Sequence, residues 1–194
     1  ALYSYAHVPH LFKPQRRIAV DDLPPAEEKL AILALAIEKL AAAGYVYIGM
    51  DHFALPQDEL VIAQGNGTLH RNFQGYSTRG YCDLIGLGVS SIGKVGDHYM
   101  QNLKTLPEYY GALDRGELAV HRGLSLTRDD VIRRDVIQQI MCYGVLDYDK
   151  TSERFGIDFR SYFASELLAL EPMVADGLAE FTDPGLRVLP AGRL

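Results

Sequence analysis

Two groups of side chains in the sequence combine residue types that can carry chemistry. The first group holds three imidazoles and one carboxylate, which are His7, His10, Asp51 and His52. Imidazole and carboxylate groups are ordinary ligands of zinc and other divalent metals. Polar residues also gather at the rim of a sheet where no metal binds. We therefore favour pairing of these residues with each other or with backbone, and we predict no metal site in this chain.

The second group is the continuous stretch from His70 to Thr78. It combines a guanidinium, two amides, two aromatic rings and a glycine, which are Arg71, Asn72, Gln74, Phe73, Tyr76 and Gly75. Such a segment can hold an anionic, planar or adenine-bearing ligand by stacking and directed hydrogen bonds. We favour a binding role over that of a simple connection between elements.

Composition excludes several classes of protein. The chain has 194 residues, of which 48% are hydrophobic and 23% charged, which is enough apolar surface to exclude a disordered chain. The net charge of −6 argues against neutralisation of nucleic-acid phosphates, so we predict no nucleic-acid partner. The apolar run 30–50 is interrupted by Glu38, Lys39 and Gly44 and cannot span a bilayer. Cys82 and Cys142 form no CxxC motif and are typical of reduced thiols in a cytoplasmic protein.

The first half of the chain has the pattern of an α/β protein. Leu2–Val8 is rich in Tyr and Val and predicts a strand. A helix with one apolar face follows, and Tyr45–Met50 predicts a second strand. This βαβ order predicts parallel strands, which would bring His7 and His10 to the same edge as Asp51 and His52.

A third buried strand is predicted over 84–92. Gly86, Gly88 and Ser90 alternate along it and would share one face. A strand face made of small residues admits another backbone or a ligand, or else it lies in a crowded barrel interior. The pattern leaves these alternatives open.

After about residue 102 the pattern becomes mostly helical. Thr127 and Asp130 resemble a capping box, a further helix begins near Asp158, and a hairpin follows Gly177. The order resembles a winged-helix module, but the Asp158 helix has no basic stripe, which favours a packing role over DNA binding. We predict domains at residues 1–102 and 103–194.

Several motifs resemble one enzyme family along nearly the whole chain. They are Tyr5-Ala-His7, Gly49-Met-Asp-His-Phe-Ala54, Leu69-His-Arg-Asn-Phe-Gln-Gly-Tyr76, Gly86-Leu-Gly-Val-Ser90 with Ile92, Leu126-Thr-Arg-Asp-Asp130 and Ile132-Arg-Arg-Asp135. Together they resemble the oxygen-independent coproporphyrinogen III oxidases, which are radical S-adenosylmethionine enzymes. The family's CxxxCxxC loop, which binds a [4Fe–4S] cluster, is absent from this chain. We therefore expect a C-terminal fragment: the last strands of a partial radical-SAM barrel, followed by a mostly helical domain.

The resemblance implies an activity and a set of contacts. The intact enzyme would decarboxylate two propionates of coproporphyrinogen III to give protoporphyrinogen IX in haem biosynthesis, using S-adenosylmethionine and the cluster. By motif position, Ala6, Ile92, Phe73 and Gln74 would contact the two S-adenosylmethionine molecules of the family's site. The fragment alone is expected to be inactive. Its expected partners are the N-terminal half of the barrel and a second copy of itself, through exposed strand edges.

Two alternative functions come from different classes of protein. A related radical-SAM haem chaperone would share much of the sequence, but the His70–Tyr76 run and the helical region resemble the oxidase. A winged-helix regulator that binds nucleic acid is the other alternative, and the charge balance argues against it.

Overall fold

The computed structural model describes residues 1–193. The chain begins with an extended segment and two short 3-10 turns, at Lys13–Arg17 and Val20–Asp22. The helix α1 (Ala26–Ala42) follows, and then the short strands β1 (Val46–Gly49) and β2 (His52–Ala54). The predicted helix and the strand after it are therefore confirmed.

The predicted strand Leu2–Val8 is wrong. This segment has no regular strand pairing, and its backbone link to the β1–β2 region is the Leu2 N–H, which donates to the Asp51 carbonyl at 2.8 Å. β1 instead pairs antiparallel with β2, because the backbone turns back at Gly49 and Met50, whose φ values are 147° and 53°. A local hairpin thus replaces the parallel neighbour that the sequence predicted.

The middle of the chain contains two further antiparallel units. One is the hairpin of β3 (His70–Asn72) and β4 (Gly75–Ser77), which follows the helix α2 (Glu59–Gly65). The other is a three-stranded sheet of β5 (Ile92–Val95), β6 (His98–Asn102) and β7 (Val120–Ser125), with α3 (Leu106–Asp114) between its last two strands. This sheet spans the predicted domain boundary at residue 102, and the boundary stays a prediction.

The predicted buried strand over 84–92 is also wrong, since only Ile92 lies in a strand. Leu84 forms an isolated bridge with Lys94. A Cβ atom on Gly93 would lie 2.8 Å from the Leu84 carbonyl oxygen, so glycine here allows a close approach between two backbones.

Up to residue 193, the last third of the chain has four α-helices, a three-stranded sheet and a 3-10 turn at Pro190–Arg193. The helices are α4 (Arg128–Tyr143), α5 (Tyr148–Phe155), α6 (Phe159–Tyr162) and α7 (Ala164–Ala175). The strands β8 (Val145–Asp147), β9 (Ala179–Thr182) and β10 (Gly185–Val188) pair in the order β8–β10–β9. The capping box of Thr127 and Asp130 and the final hairpin are confirmed. The winged-helix interpretation stays a prediction.

Two hydrophobic cores organise the described residues, and α4 contributes to both. Ile132 lies in the larger core with Phe159 and Phe163, whereas Cys142 lies in the smaller one with Ile48. α4 therefore joins the last third of the chain to the segments that precede it. Among the described helices, none is both long and apolar enough to cross a membrane.

Candidate functional site

The β3–β4 hairpin presents Phe73 and Gln74 at a two-residue turn. The Gln74 backbone N–H donates to Oδ1 of Asn72 at 2.9 Å, which fixes the turn. Gly75 follows with a φ of 129°, a conformation that favours glycine. The turn therefore has a defined shape, and the Phe73 ring on it is 68% exposed.

The base of this hairpin is anchored to α4. The Gln138 side chain accepts a hydrogen bond from the Arg71 N–H at 2.9 Å and donates one to the Arg71 carbonyl at 2.7 Å. The Tyr76 hydroxyl donates to the Met141 carbonyl at 3.1 Å. Side chains of α4 and β4 thus supply hydrogen bonds to backbone that a further strand would otherwise give, and they anchor the hairpin to α4.

The hairpin turn meets β5 at Ile92. Nε2 of Gln74 donates to the Ile92 carbonyl at 3.0 Å. The Phe73 ring packs edge-to-face against Tyr99, with 5.9 Å between centroids. Phe73, Ile92 and Tyr99 line one shallow cleft of about 290 Å³, together with Met100, Gln101, Arg122, Gly123 and Leu124. The structure therefore brings together three of the four predicted contact residues.

Ala6, the fourth predicted contact residue, lies on the exposed N-terminal segment and does not line this cleft. Its carbonyl accepts a hydrogen bond from Gln15 Nε2 at 3.1 Å. The segment approaches the hairpin through aromatic contacts: the Tyr3 ring lies 6.5 Å from the His52 ring, which lies 5.3 Å from the ring of Tyr76. Ala6 therefore belongs to a segment next to the hairpin base.

The first group of chemically capable residues does not come together: Asp51 and His52 contact each other, His7 contacts Tyr5, and His10 is exposed. Nδ1 of His52 lies 2.6 Å from Oδ1 of Asp51, and Nδ1 of His7 lies 3.1 Å from the Tyr5 hydroxyl. Within residues 1–193, no three His, Cys, Asp or Glu side chains form a group that could hold a metal ion. The Asp51–His52 contact agrees with the pairing that we favoured from the sequence.

Arg71 and Tyr76 lie opposite each other on β3 and β4 and form a half-buried pair. The Arg71 guanidinium lies 4.7 Å from the centroid of the Tyr76 ring, and its Nη1 atom is buried without a hydrogen-bond partner among the described residues. Burial raises the pKa of Tyr76, and the positive charge of Arg71 opposes that shift. This cation–π contact joins β3 to β4.

Sequence reasoning missed two residues of this site. Gln138 lies 67 positions from Arg71, and no local pattern links them. Tyr99 comes from the neighbouring strand β6, and its contact with Phe73 depends on how the hairpin meets the sheet. Only the tertiary arrangement identifies either residue.

Comparison with known proteins shows what the chain is similar to. A family model described as the HemN C-terminal domain matches residues 126–194. Over 194 residues the chain is 53% identical to the oxygen-independent coproporphyrinogen III oxidase of Pseudomonas aeruginosa, covering 100% of this chain and 42% of that relative. The relative of the same name from Salmonella typhimurium is 50% identical, with the same coverage.

A solved structure matches this chain in its fold. Coproporphyrinogen III oxidase (HemN) from Escherichia coli, described as a radical SAM enzyme, matches with a TM-score of 0.92 and 49% identity, covering 98% of this chain and 44% of that one. The mixed helix-and-strand fold and the predicted resemblance to the oxygen-independent coproporphyrinogen III oxidase family are confirmed. The chain spans 42% of the length of the first curated relatives that it matches.

Proposed function

We propose that this chain is part of an oxygen-independent coproporphyrinogen III oxidase, a radical S-adenosylmethionine enzyme. The whole protein would convert two propionate side chains of coproporphyrinogen III to vinyl groups, giving protoporphyrinogen IX. One observation carries the proposal: the Phe73–Gln74 turn meets Ile92 at a cleft, in a chain 53% identical over its full length to a relative of that name.

The residues at this cleft suit S-adenosylmethionine. Phe73 offers an exposed aromatic face for a planar base, and Ile92 offers an apolar wall. Gln74 offers its amide oxygen, since its Nε2 is held by the Ile92 carbonyl. When bound and reductively cleaved, S-adenosylmethionine supplies the 5′-deoxyadenosyl radical that removes a hydrogen atom from a propionate. Phe73, Gln74 and Ile92 would hold and orient it, and Ala6 would contact it from the N-terminal segment.

The [4Fe–4S] cluster does not fit the cysteines of this chain. A cluster of this kind needs several thiolates in one small volume. The chain has two cysteines, of which Cys82 is exposed and Cys142 is fully buried in the smaller core. The cluster would therefore be bound by a part of the whole protein outside this segment, and the isolated segment would be inactive.

The test uses the full-length protein that contains this segment, with its cluster reconstituted. We expect anaerobic turnover with S-adenosylmethionine and a reductant to give protoporphyrinogen IX, measured by chromatography after oxidation. Ile92→Ala and Gln74→Ala should lose most of that activity while retaining the cluster and nearly the wild-type melting temperature. Ile62→Ala, an exposed position on α2, serves as the matched control and should stay active.

Two outcomes would contradict the proposal. If the wild-type protein binds haem and forms no vinyl product, the chaperone alternative is correct. If Ile92→Ala melts many degrees lower while its folded fraction stays fully active, Ile92 is a packing residue and the assignment of the cleft is wrong.

A further inference from the structure

A second cleft lies beside the hairpin, and its lining contains two basic side chains and one carboxylate. It has a volume of about 510 Å³ and is bounded by β3, β4, β5 and the loop 79–84. We call it the basic cleft and define it by His70, Asn72, Ser77, Arg79, Asp83 and Lys94. The function proposed above makes no use of these residues.

Positive charge in the basic cleft is incompletely neutralised. Lys94 has no carboxylate partner within 4.0 Å among residues 1–193. Arg79 is held by the Tyr81 hydroxyl at 3.1 Å, and the carboxylate of Asp83 accepts a hydrogen bond from the Gly96 N–H at 2.8 Å. Arg134 lies close by and pairs with Asp97 at 3.0 Å. The charge of Lys94 is therefore available to pair with a bound anion.

His70 is closely packed against Gly80. Gly80 packs directly on the imidazole, since a Cβ atom at Gly80 would lie 2.8 Å from Cγ of His70. Burial lowers the pKa of His70, and the charges of Lys94 and Arg134 lower it further. This shift favours the neutral ring, in which one nitrogen carries an N–H that can donate a hydrogen bond.

The basic cleft and the first cleft are separate, but two segments of the chain contribute residues to both. Lys94 and Ile92 are two residues apart on β5, and therefore on the same face and about 7 Å apart along the strand. His70 and Asn72 lie on β3, directly before the turn that carries Phe73 and Gln74. A ligand at the first cleft would need to extend only a short distance to place an anionic group beside Lys94.

We propose that the basic cleft binds a carboxylate group of a ligand of this enzyme, with Lys94 as its charge partner and His70 and Asn72 as hydrogen-bonding groups. The inference rests on the proposed function, which supplies two ligands with carboxylates. These are the propionates of the porphyrinogen and the methionyl carboxylate of S-adenosylmethionine. A charge-assisted contact to a carboxylate is stronger than a neutral hydrogen bond, so losing it should cause a measurable fall in affinity for the ligand.

The experiment compares Lys94→Met, Lys94→Arg and the control Lys104→Met in the full-length protein. Lys104 is an exposed lysine outside the cleft. Two affinities are measured at equilibrium: that of coproporphyrin III by fluorescence, with its uncharged tetraamide as the comparison ligand, and that of S-adenosylmethionine by dialysis. Circular dichroism checks that each variant is folded.

We expect Lys94→Met to lower the affinity for one of the two ligands about tenfold or more. Lys94→Arg should restore most of that affinity, and Lys104→Met should leave both affinities unchanged. A loss for coproporphyrin III but not for its tetraamide assigns the cleft to a substrate propionate. A loss for S-adenosylmethionine assigns it to the methionyl carboxylate. If both affinities stay within about twofold of wild type, the inference is overturned. Failure of the proposed function would instead appear in the wild-type protein, as the absence of vinyl product.

Discussion

The last third of the molecule and the helix α1 differ in how much of their apolar surface is buried. After residue 126, helices and strands enclose a core in which Phe159 is 2% exposed and its ring stacks on Tyr148 with 4.3 Å between centroids. In contrast, α1 buries none of its residues, and Ile32 and Leu35 are both more than half exposed. α1 is rich in Ala and Leu, so local propensity favours its helical form, and on its apolar face Leu33, Ile37 and Leu40 are only half-buried. Sequence periodicity therefore predicted a helix correctly at a place where the described residues provide little packing.

This comparison predicts a large difference in the effect of core truncation. Phe159→Ala should reduce the free energy of unfolding of this chain by about 3–5 kcal/mol, since it removes a buried ring and leaves a cavity. Leu35→Ala, at a position that is 53% exposed, should cost less than about 1 kcal/mol. Urea unfolding followed by circular dichroism measures both. Equal losses would show that α1 is packed as tightly as the last third of the chain.

The same contrast explains what the sequence could predict. The capping box of Thr127 and Asp130 and the β9–β10 hairpin depend on neighbouring residues, and both are confirmed. The strands predicted over 2–8 and 84–92 needed partners that local composition cannot identify, and both are wrong. The stretch from His70 to Thr78 was predicted to bind a ligand from its residue types, and Phe73 and Gln74 were singled out by motif position, but the hairpin that presents them was not predicted. Its anchoring by Gln138, 67 positions from Arg71, was beyond any local pattern.

The predicted roles of Ala6, Phe73, Gln74 and Ile92 remain predictions, as does self-association of the chain. The exposed apolar side chains of α1 give a second reason to expect self-association, because uncovered apolar surface recruits other chains.

The two cysteines allow a second test of how tightly the regions are packed. Cys142 is 0% exposed, and burial raises the pKa of its thiol to about 11, whereas Cys82 is exposed. Because the thiolate is the reactive form, we expect one thiol per native chain to react quickly with Ellman's reagent at pH 8. Cys142 should react more than about 100-fold more slowly, until urea exposes it. Cys82→Ser should remove the fast phase, and two fast thiols would show that the smaller core opens readily.

The smallest expected effect concerns acid, and it belongs to the last third of the chain. Arg133 donates to Asp129 at 2.8 Å and to Glu166 at 2.6 Å, whereas no ion pair within the described residues includes residues 1–45. Hydrogen bonds from Tyr162 and Arg133 lower the pKa of Asp129 below its ordinary value of 3.8, and Arg133 lowers that of Glu166 below 4.5.

The sign of the pH effect follows from these lowered pKa values. Between the folded and unfolded pKa values, the unfolded chain binds more protons, so stability rises with pH in that window. The contribution is present above the ordinary pKa values and is lost as the pH falls through the lowered ones. We therefore expect the urea midpoint to fall between pH 6 and pH 3, and Arg133→Met to reduce that fall slightly, because exposed pairs are screened by water and salt. If the variant loses as much stability as wild type over this range, the Arg133 pairs make no contribution, and the acid sensitivity of the molecule arises elsewhere.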